Sequence, residues 1–344
     1  MIAIHNSKNS FSERWISYCN ENSIPYKIVN CYASDIVMQL NNCDALMWHH
    51  NHMNPKDIVF AKSLMFSLQQ AGKVVFPDFN TGWHFDDKLG QKYLFEALDI
   101  PAANSYAFYN KEEALQWAGN TTFPKVMKLR GGSGSRNVFL VKNKYEAKRM
   151  INIAFGKGFR QYDALASIKE RWRKYKLGRI KFSKVLIGYL RILQAPLYAR
   201  VLGNAVGYAY FQDFIANVDH DIRVIIIDEK AFAIKRMVRA NDFRASGSGH
   251  IYYEKKHFDP KLIKLAFELS EKIGAQSVAF DFIYDNETPK VVEISYGFVK
   301  EGYDPCEGYW SKDMEWHETK INATGWMVEC VLKQVARLKR DNCK

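Results

Sequence analysis

Residues 277–295 read Ser-Val-Ala-Phe-Asp-Phe-Ile-Tyr-Asp-Asn-Glu-Thr-Pro-Lys-Val-Val-Glu-Ile-Ser. Two apolar runs, Ser277–Tyr284 and Pro289–Ser295, flank the turn residues Asp285-Asn286-Glu287-Thr288, which is the pattern of a β-hairpin. Each run is broken once by a carboxylate, Asp281 in the first and Glu293 in the second. Burying an unpaired carboxylate is costly, so each demands a cation or hydrogen-bond donors. Two such groups on neighbouring strands make an oxygen site suited to Mg²⁺. Equally, each pairs with a nearby Arg or Lys, or faces solvent.

Upstream of the hairpin, Asp221-Ile-Arg223 is followed by Ile234-Lys-Arg236-Met-Val-Arg239 and Asp242-Phe-Arg244, then a Gly/Ser stretch to Gly249. Strand alternation places these Arg residues on defined faces, where they either polarise phosphoryl or carboxylate oxygens or form a solvated basic face. Closely spaced strands over Tyr208–Ile215, Asp221–Asp228 and Ala231–Arg239 predict an antiparallel meander, and Pro260–Gly274 predicts a helix with a glycine stop.

Further back, strand Lys125–Leu129 leads through Arg130-Gly-Gly-Ser-Gly-Ser-Arg136 into strand Asn137–Val141. Small residues let backbone N–H groups approach phosphate oxygens. The loop is either such a phosphate cover or a plain flexible hairpin; Lys128, just before it, is a cation suited to triphosphate. It is not a helix-opening phosphate loop, because a strand follows and no Lys-Ser/Thr does.

The first hundred residues alternate. Ile2–His5, Lys27–Cys31, Ala45–Trp48 and Val74–Pro77 read as strands, with helices near Ser12–Asn22, Ala33–Asn41 and Pro55–Ala71. That rhythm predicts a small parallel sheet covered on both faces. Asp87–Leu98, Lys144–Phe155 and Trp326–Lys339 read as further helices.

Composition bounds the class. The chain has 344 residues, 47% apolar and 25% charged, which excludes global disorder. No uninterrupted apolar run reaches the length of a membrane span, and MIAIHNSKNSF is not a secretory signal, so the cytoplasm is the expected compartment. Six cysteines without CxxC spacing read as reduced thiols. The net charge of +12 is localised: Lys157–Arg200 holds twelve Lys/Arg against Asp163 and Glu170, whereas the rest carries 37 basic and 35 acidic residues, a net of +2.

Together these motifs resemble the ATP-grasp superfamily, closest to the branch of the ribosomal-protein glutamate ligases, over residues 85–300. The strongest stretch is Asp221-Ile-Arg223, Ile234-x-Arg236 and Asp242-Phe-Arg244. The resemblance implies an α/β (α+β) protein with a Rossmann-like pre-ATP-grasp domain over 1–86 and an ATP-grasp domain over 87–300. A basic helical insertion spans 157–204, and an aromatic-rich tail with a closing helix fills 301–344.

By the same resemblance, Lys88 and Lys128 bind phosphates, with Gly131, Gly132, Ser133, Gly134 and Ser135 as the loop over ATP. Gln212, Asp213, Phe214 and Ile215 form the hinge strand at adenine, and Asp219 is a ribose contact. Asp281, Glu293 and Ser295 hold one or two Mg²⁺ ions, Ser295 standing where the family usually has Asn. Arg223, Arg236 and Arg244 face the transferred phosphoryl group or the acceptor carboxylate, and Ala279 stands where some branches place an Arg. The implied reaction is ATP-dependent carboxylate–amine ligation through an acylphosphate, with release of ADP and phosphate.

Two segments need their own account. In the insertion, bases cluster in Lys169–Lys184, and Val185–Leu202 is apolar apart from Arg191 and Arg200. That profile predicts reversible attachment to an anionic membrane surface on the inner face; a solvated helical hairpin, a dimer contact or a polyanion site is the competing reading. No nucleic-acid motif is present, so nucleic acid is not an expected partner. The tail, Tyr303–Trp310 and Trp316-His317-Glu318, sets aromatic rings beside carboxylates, which predicts sugar recognition next to the site, or an aromatic cap on the core. Proteins of similar appearance occur in surface-polysaccharide assembly, which implies a lipid-linked sugar acid as substrate. A ligase acting on a peptide or protein, or a non-catalytic ATP-binding regulatory module, is the alternative. His49, His50 and His52 read as a loop face lining a cleft, not a metal site.

Overall fold

The structure, a computed structural model, describes all residues except 133–136, 179, 239–249 and 342–344. Ser133, Gly134, Ser135 and Arg244, expected at the nucleotide and the transferred phosphoryl group, therefore lie outside the described residues.

The chain opens with β1 (Ile2–His5), α1 (Ser12–Glu21), β2 (Tyr26–Val29), α2 (Ile36–Gln39), β3 (Ala45–Met47), α3 (Pro55–Gln70) and β4 (Val74–Phe76). The strands form a parallel sheet in the order β2-β1-β3-β4. β1, β3 and β4 are buried along their whole length, as strands covered on both faces must be. Asn54 caps α3 by accepting from the Lys56 N–H, with Pro55 in the first turn. The helix expected over Ala33–Asn41 shrinks to the single turn α2.

α4 (Phe79–Gly82) and α5 (Lys88–Ala97) lead to a second sheet of β5 (Ser105–Phe108), β6 (Lys125–Lys128), β7 (Val138–Val141) and, later, β10 (Ala209–Asp213), ordered β5-β10-β6-β7. Helices α6 (Lys111–Asn120) and α7 (Lys144–Ala154) pack on it around Phe108, Met127, Ile151 and Phe211. Between α7 and β10 the basic segment folds as α8 (Ala164–Lys176), α9 (Phe182–Leu193) and α10 (Leu197–Leu202). It enters and leaves through an antiparallel clasp of β8 (Phe159–Arg160) and β9 (Asn204–Ala205).

The third sheet contains β11 (His220–Ile227), β12 (Lys230–Met237), β13 (Ile251–Tyr252), β14 (Ser277–Asp285), β15 (Thr288–Ser295), β16 (Tyr309–Ser311) and β17 (Trp316–His317). α11 (Pro260–Ile273) covers one face; Asp259 caps its start and Gly274 (φ +69°) ends it in the left-handed region open to glycine. α12 (Ala323–Asp341) returns to α1 and β4. Met327 and Val331 share a core with Ile4, Trp15 and Phe76 of the first sheet. The carboxy-terminal segment is thus packed into the amino-terminal layer. Trp310 and Trp316 pack against each other at a tilt at the sheet edge, ring centres 4.5 Å apart, where β16–β17 join the sheet.

Candidate active site

Register in the third sheet decides which polar side chains meet. Arg236 lies opposite Asp221, Arg223 opposite Asp281, and Asp281 opposite Glu293. Directly opposed residues of antiparallel strands share a face, and alternation puts Asp221 with Arg223 and Glu293 with Ser295. Six polar groups therefore lie on one face of the sheet.

Their contacts are specific. Arg223 grips Asp281 with two parallel bonds, Nε to Oδ1 at 2.5 Å and Nη2 to Oδ2 at 2.6 Å. Arg236 makes the same fork on Asp221, with Nε to Oδ1 at 2.9 Å, and adds Nη2 to Asp281 Oδ1 at 3.0 Å. Burial opposes ionisation of Asp281, but the two guanidinium groups outweigh it and hold the carboxyl down at about 2. Asp221 is pushed up to about 6 by burial, against the pull of Arg236 and with the repulsion of Asp281. Of the two readings left open for Asp281, pairing with Arg is thus realised in the protein.

The lysines come from β6 of the second sheet and from α5. Lys128 closes β6 and donates to Gln212 Oε1 on β10 at 2.6 Å. Burial, reinforced by the nearby Lys88 charge, lowers its ammonium to about 8 although Glu293 and Asp281 pull the other way. Lys88 opens α5 just after the capping residue Asp87, is itself buried, and donates to Gly132 O at 2.8 Å and Glu293 Oε1 at 3.4 Å. The base of the glycine-rich loop is pinned further: Asp86 accepts from the Gly132 N–H at 2.9 Å and Asp87 pairs with Arg130 at 2.6 Å. A Cβ at Gly131 would stand 3.1 Å from Asp86 Oδ2.

These groups line a cavity of about 790 Å³ between the second and third sheets and the first. Lys88, Lys128, Gly132, Gln212, Asp213, Phe214, Ile215, Arg223, Arg236, Asp281, Glu293 and Ser295 all border it. Gln212 is held by Ser105, its Nε2 donating at 3.2 Å. The Asp213 carboxylate is taken by Lys125 (2.5 Å) and Asn104 (2.9 Å), so this residue serves the hinge structurally. Asp219 is not brought to the cavity lining; its exposed carboxylate bonds His220 at 2.5 Å ahead of β11. Val218 lines the wall instead.

The opposite wall comes from the first sheet and the segment after β15. Phe11 stacks on His49 at 3.8 Å, and His50, His52, Phe85, Phe298 and Lys300 complete it. Burial lowers His49 and His50 to about 3, so both act as neutral rings, and the His49 Nδ1 accepts from the Phe11 N–H at 3.1 Å. Among the described residues of the tail, Glu301 borders the cavity, and the Tyr303 hydroxyl accepts from Arg223 Nη1 at 3.5 Å. Trp310, Trp316, His317 and Glu318, placed beside the site by the sequence reading, are absent from the lining because they form or follow the sheet-edge strands. Burial raises Cys31, Cys306 and Cys330 to about 12, which leaves no thiolate near neutral pH at these three positions.

A hard cation fits the acidic end. Asp281 Oδ2 accepts one bond, Glu293 is half-buried, and Mg²⁺ needs only one or two protein carboxylates beside phosphate and water oxygens. Ser295 is the weaker donor, since its hydroxyl already bonds Gly297 O at 2.9 Å. Asp86, Asp221 and Tyr303 went unassigned by sequence; only Asp221 carried a signal, as the first residue of Asp221-Ile-Arg223.

Residues 193–303 match the RimK-like ATP-grasp domain. The chain is 21% identical over 275 residues to the alpha-aminoadipate–LysW ligase LysX of Saccharolobus solfataricus, covering 78% of this chain and 82% of that protein. Among solved structures it is similar to a RimK domain ATP-grasp protein from Sphaerobacter thermophilus (TM-score 0.55, 13% identity, 96% of this chain and 99% of that one). It is also similar to the D-alanine–D-alanine ligase of Bacillus anthracis complexed with ATP (TM-score 0.53, 13% identity, 99% and 98%). The ligase PsnB, complexed with a minimal precursor, aligns over 97% of this chain and 98% of its own at 10% identity and a TM-score of 0.53. At these identities the structural likeness establishes the fold.

Proposed function

We propose, from the match of residues 193–303 to the RimK-like ATP-grasp domain and from the geometry of the cavity, that the chain is an ATP-dependent carboxylate–amine ligase that releases ADP and phosphate. The observation that carries the reading is the convergence of Lys88 and Lys128 on the Arg223–Asp281–Glu293 face across one cavity. Phosphoryl transfer relies on positioning and charge stabilisation, and this arrangement supplies both without a Ser or Cys nucleophile.

In this reading Lys88 and Lys128 take the triphosphate, with Gly132 at the base of the glycine-rich loop beside it. Gln212–Ile215 offers backbone groups to adenine. Arg223 and Arg236 hold fixed positive charge beside the transferred group. Asp281 and Glu293, with Ser295, would hold Mg²⁺, which when bound neutralises phosphate charge. A carboxylate oxygen of the acid attacks the γ-phosphorus, and the bond to the ADP oxygen breaks. The amine then attacks the acyl carbon of the resulting acylphosphate; phosphate leaves and the amine gives up a proton.

For the acid we favour a sugar acid of surface-polysaccharide assembly, carried on a lipid, in the cytoplasm. The wall of stacked rings at Phe11 and His49, with Phe85 and Phe298, supports it, because ring faces beside polar groups suit a hydroxylated ring. A peptide or protein substrate is the second reading, favoured by the names of LysX and of PsnB with its precursor. Hydroxylamine tests the shared step, since it traps an acylphosphate as a hydroxamate whatever the natural amine. Hydroxamate formed from pooled sugar acids, but not from pooled amino acids and peptides, supports the first reading, and the converse supports the second. No hydroxamate from either pool would contradict the ligase.

A further inference from the structure

The insertion carries a surface that the cavity does not use. α8 and α9 form an antiparallel hairpin held by its own contacts: Arg171 Nη1 donates to Lys184 O at 2.7 Å, and Trp172 Nε1 to the Tyr189 hydroxyl at 3.0 Å. Their inner seam buries Ile168, Val185 and Gly188, where a Cβ would stand 2.9 Å from Arg171 Cδ. Among the described residues, none covers the opposite face of α9. Leu186, Leu190 and Leu193 lie there at helical spacing, 52%, 66% and 89% exposed. Leu197 and Val201 of α10 extend the apolar strip and are 53% and 42% exposed. Single exposed aliphatic residues are ordinary, but a strip of five along one hairpin edge is a contact surface without its partner.

Charge says what that partner is. The segment from Lys157 to Arg200 carries ten of the chain's twelve net positive charges. Lys169, Lys174, Lys176, Lys181 and Lys184 are all exposed on α8 and at the start of α9. Between α9 and α10, Ile187, Leu190 and Leu197 form an open cleft of about 280 Å³ with Arg191 and Arg200 among its walls. Aliphatic floor and guanidinium walls match an acyl chain ending in a phosphate. Contrary to the sequence expectation, Phe182–Leu202 as a whole, 21 residues, is long and apolar enough to cross a membrane by length and composition. The helix is interrupted at residues 194–196, however, and α9 by itself has 12 residues, about 18 Å against a hydrocarbon core of roughly 30 Å. The helix is therefore suited to lie in the interface and not to cross it.

We propose that the α8–α9–α10 insertion docks on the surface of an anionic phospholipid bilayer, with Leu186, Leu190 and Leu193 entering the headgroup boundary and the flanking Lys and Arg side chains meeting lipid phosphates. This attachment is independent of the ligase reading, and binding alone tests it.

The experiment is co-sedimentation of the full chain with vesicles of phosphatidylcholine, and of phosphatidylcholine with about one-third phosphatidylglycerol. Binding to the anionic vesicles is expected to exceed that to the neutral ones at least about fivefold and to weaken between about 0.1 M and 0.5 M salt. Leu190→Asp/Leu193→Asp, at positions too exposed to disturb folding, lowers it about tenfold or more, and Lys181→Glu/Lys184→Glu lowers it as well. Equal recovery on both vesicle types overturns the proposal. So does a charge-reversal loss that the leucine variant does not share, which means that any polyanion suffices. A vesicle-indifferent dimer that Leu190→Asp/Leu193→Asp dissociates overturns it in favour of a second copy of the chain.

Discussion

Arg223 and Asp281, on neighbouring strands and 58 residues apart, form a two-bond ion pair at 2.5 and 2.6 Å in the floor of the cavity. Asp281 is thereby both the carboxylate assigned to Mg²⁺ and the counter-ion of a buried guanidinium. Asp281→Asn leaves Arg223 with half a partner and is expected to cost roughly 3–5 kcal/mol of stability, the range for breaking a buried pair. Denaturant unfolding of Asp281→Asn, Arg223→Met and the double variant checks this. The double variant should cost clearly less than the two single losses added, and strict additivity would show that the pair is not coupled.

Lys128 gives a pH dependence with a defined sign. Its ammonium is lowered to about 8, so it is charged below that pH and neutral above it. Phosphate binding favours the charged form, so nucleotide affinity should be flat below about pH 8 and fall by up to tenfold per unit above it, with proton uptake on binding. Lys128→Arg keeps the charge and should flatten the profile. Titrations of an ATP analogue between about pH 6.5 and 9.5 read this directly, and a wild-type profile as flat as the variant's would remove Lys128 from the phosphate site.

Lys88 touches both Gly132 and Glu293, whereas Lys92, one turn on, pairs with Glu96 and lies over the Tyr93 ring, away from the cavity lining. Lys88→Met should weaken ATP binding by about 10²-fold, the order of a lost charge-assisted contact in a dry site. Lys92→Met should leave it unchanged within about twofold. Equal effects of both would point to general electrostatics and not to a specific contact.

Gly131 stands where a Cβ meets Asp86, whose other oxygen holds the Gly132 N–H. Gly131→Val should displace Asp86 and release the loop base, weakening ATP binding several-fold while thermal stability moves by less than about 1 kcal/mol. Loss of stability in place of affinity would show that the Asp86 contact serves the fold alone.

The sequence carried these features unequally. β14 and β15 were legible because Asp281 and Glu293 interrupt otherwise apolar runs on either side of a short turn, but their opposition was not: the turn's register would set Asp281 against Val292, and a bulge at Asp281/Phe282 brings Glu293 opposite it. The partners of those carboxylates were less so: residue spacing allowed metal, cation or solvent, and only the register of β11 against β12 and β14 brings Arg223 and Arg236 onto Asp281. Gln212 was read as a hinge residue, yet its bond to Lys128 depends on β10 pairing with β6 across 84 residues and the whole insertion. β5 and α6 escaped notice because Ser-Tyr-Ala-Phe is too short for a period and the helix after it has a weak apolar stripe. The tail misled in a different way. Its rings suit a binding wall and a sheet edge equally well, and Trp310 and Trp316 took the edge.

Nucleotide products decide the central claim. The full chain is incubated with Mg²⁺, ATP and pooled carboxylic acids and amines, and the products are separated, with Lys128→Met as the control that spares the Arg223–Asp281 pair. ADP and phosphate that form only when acid is present, and not in the control, are the predicted result. Release of AMP and pyrophosphate would contradict the account, because the acid would then be activated at the α-phosphorus and not at the γ-phosphorus.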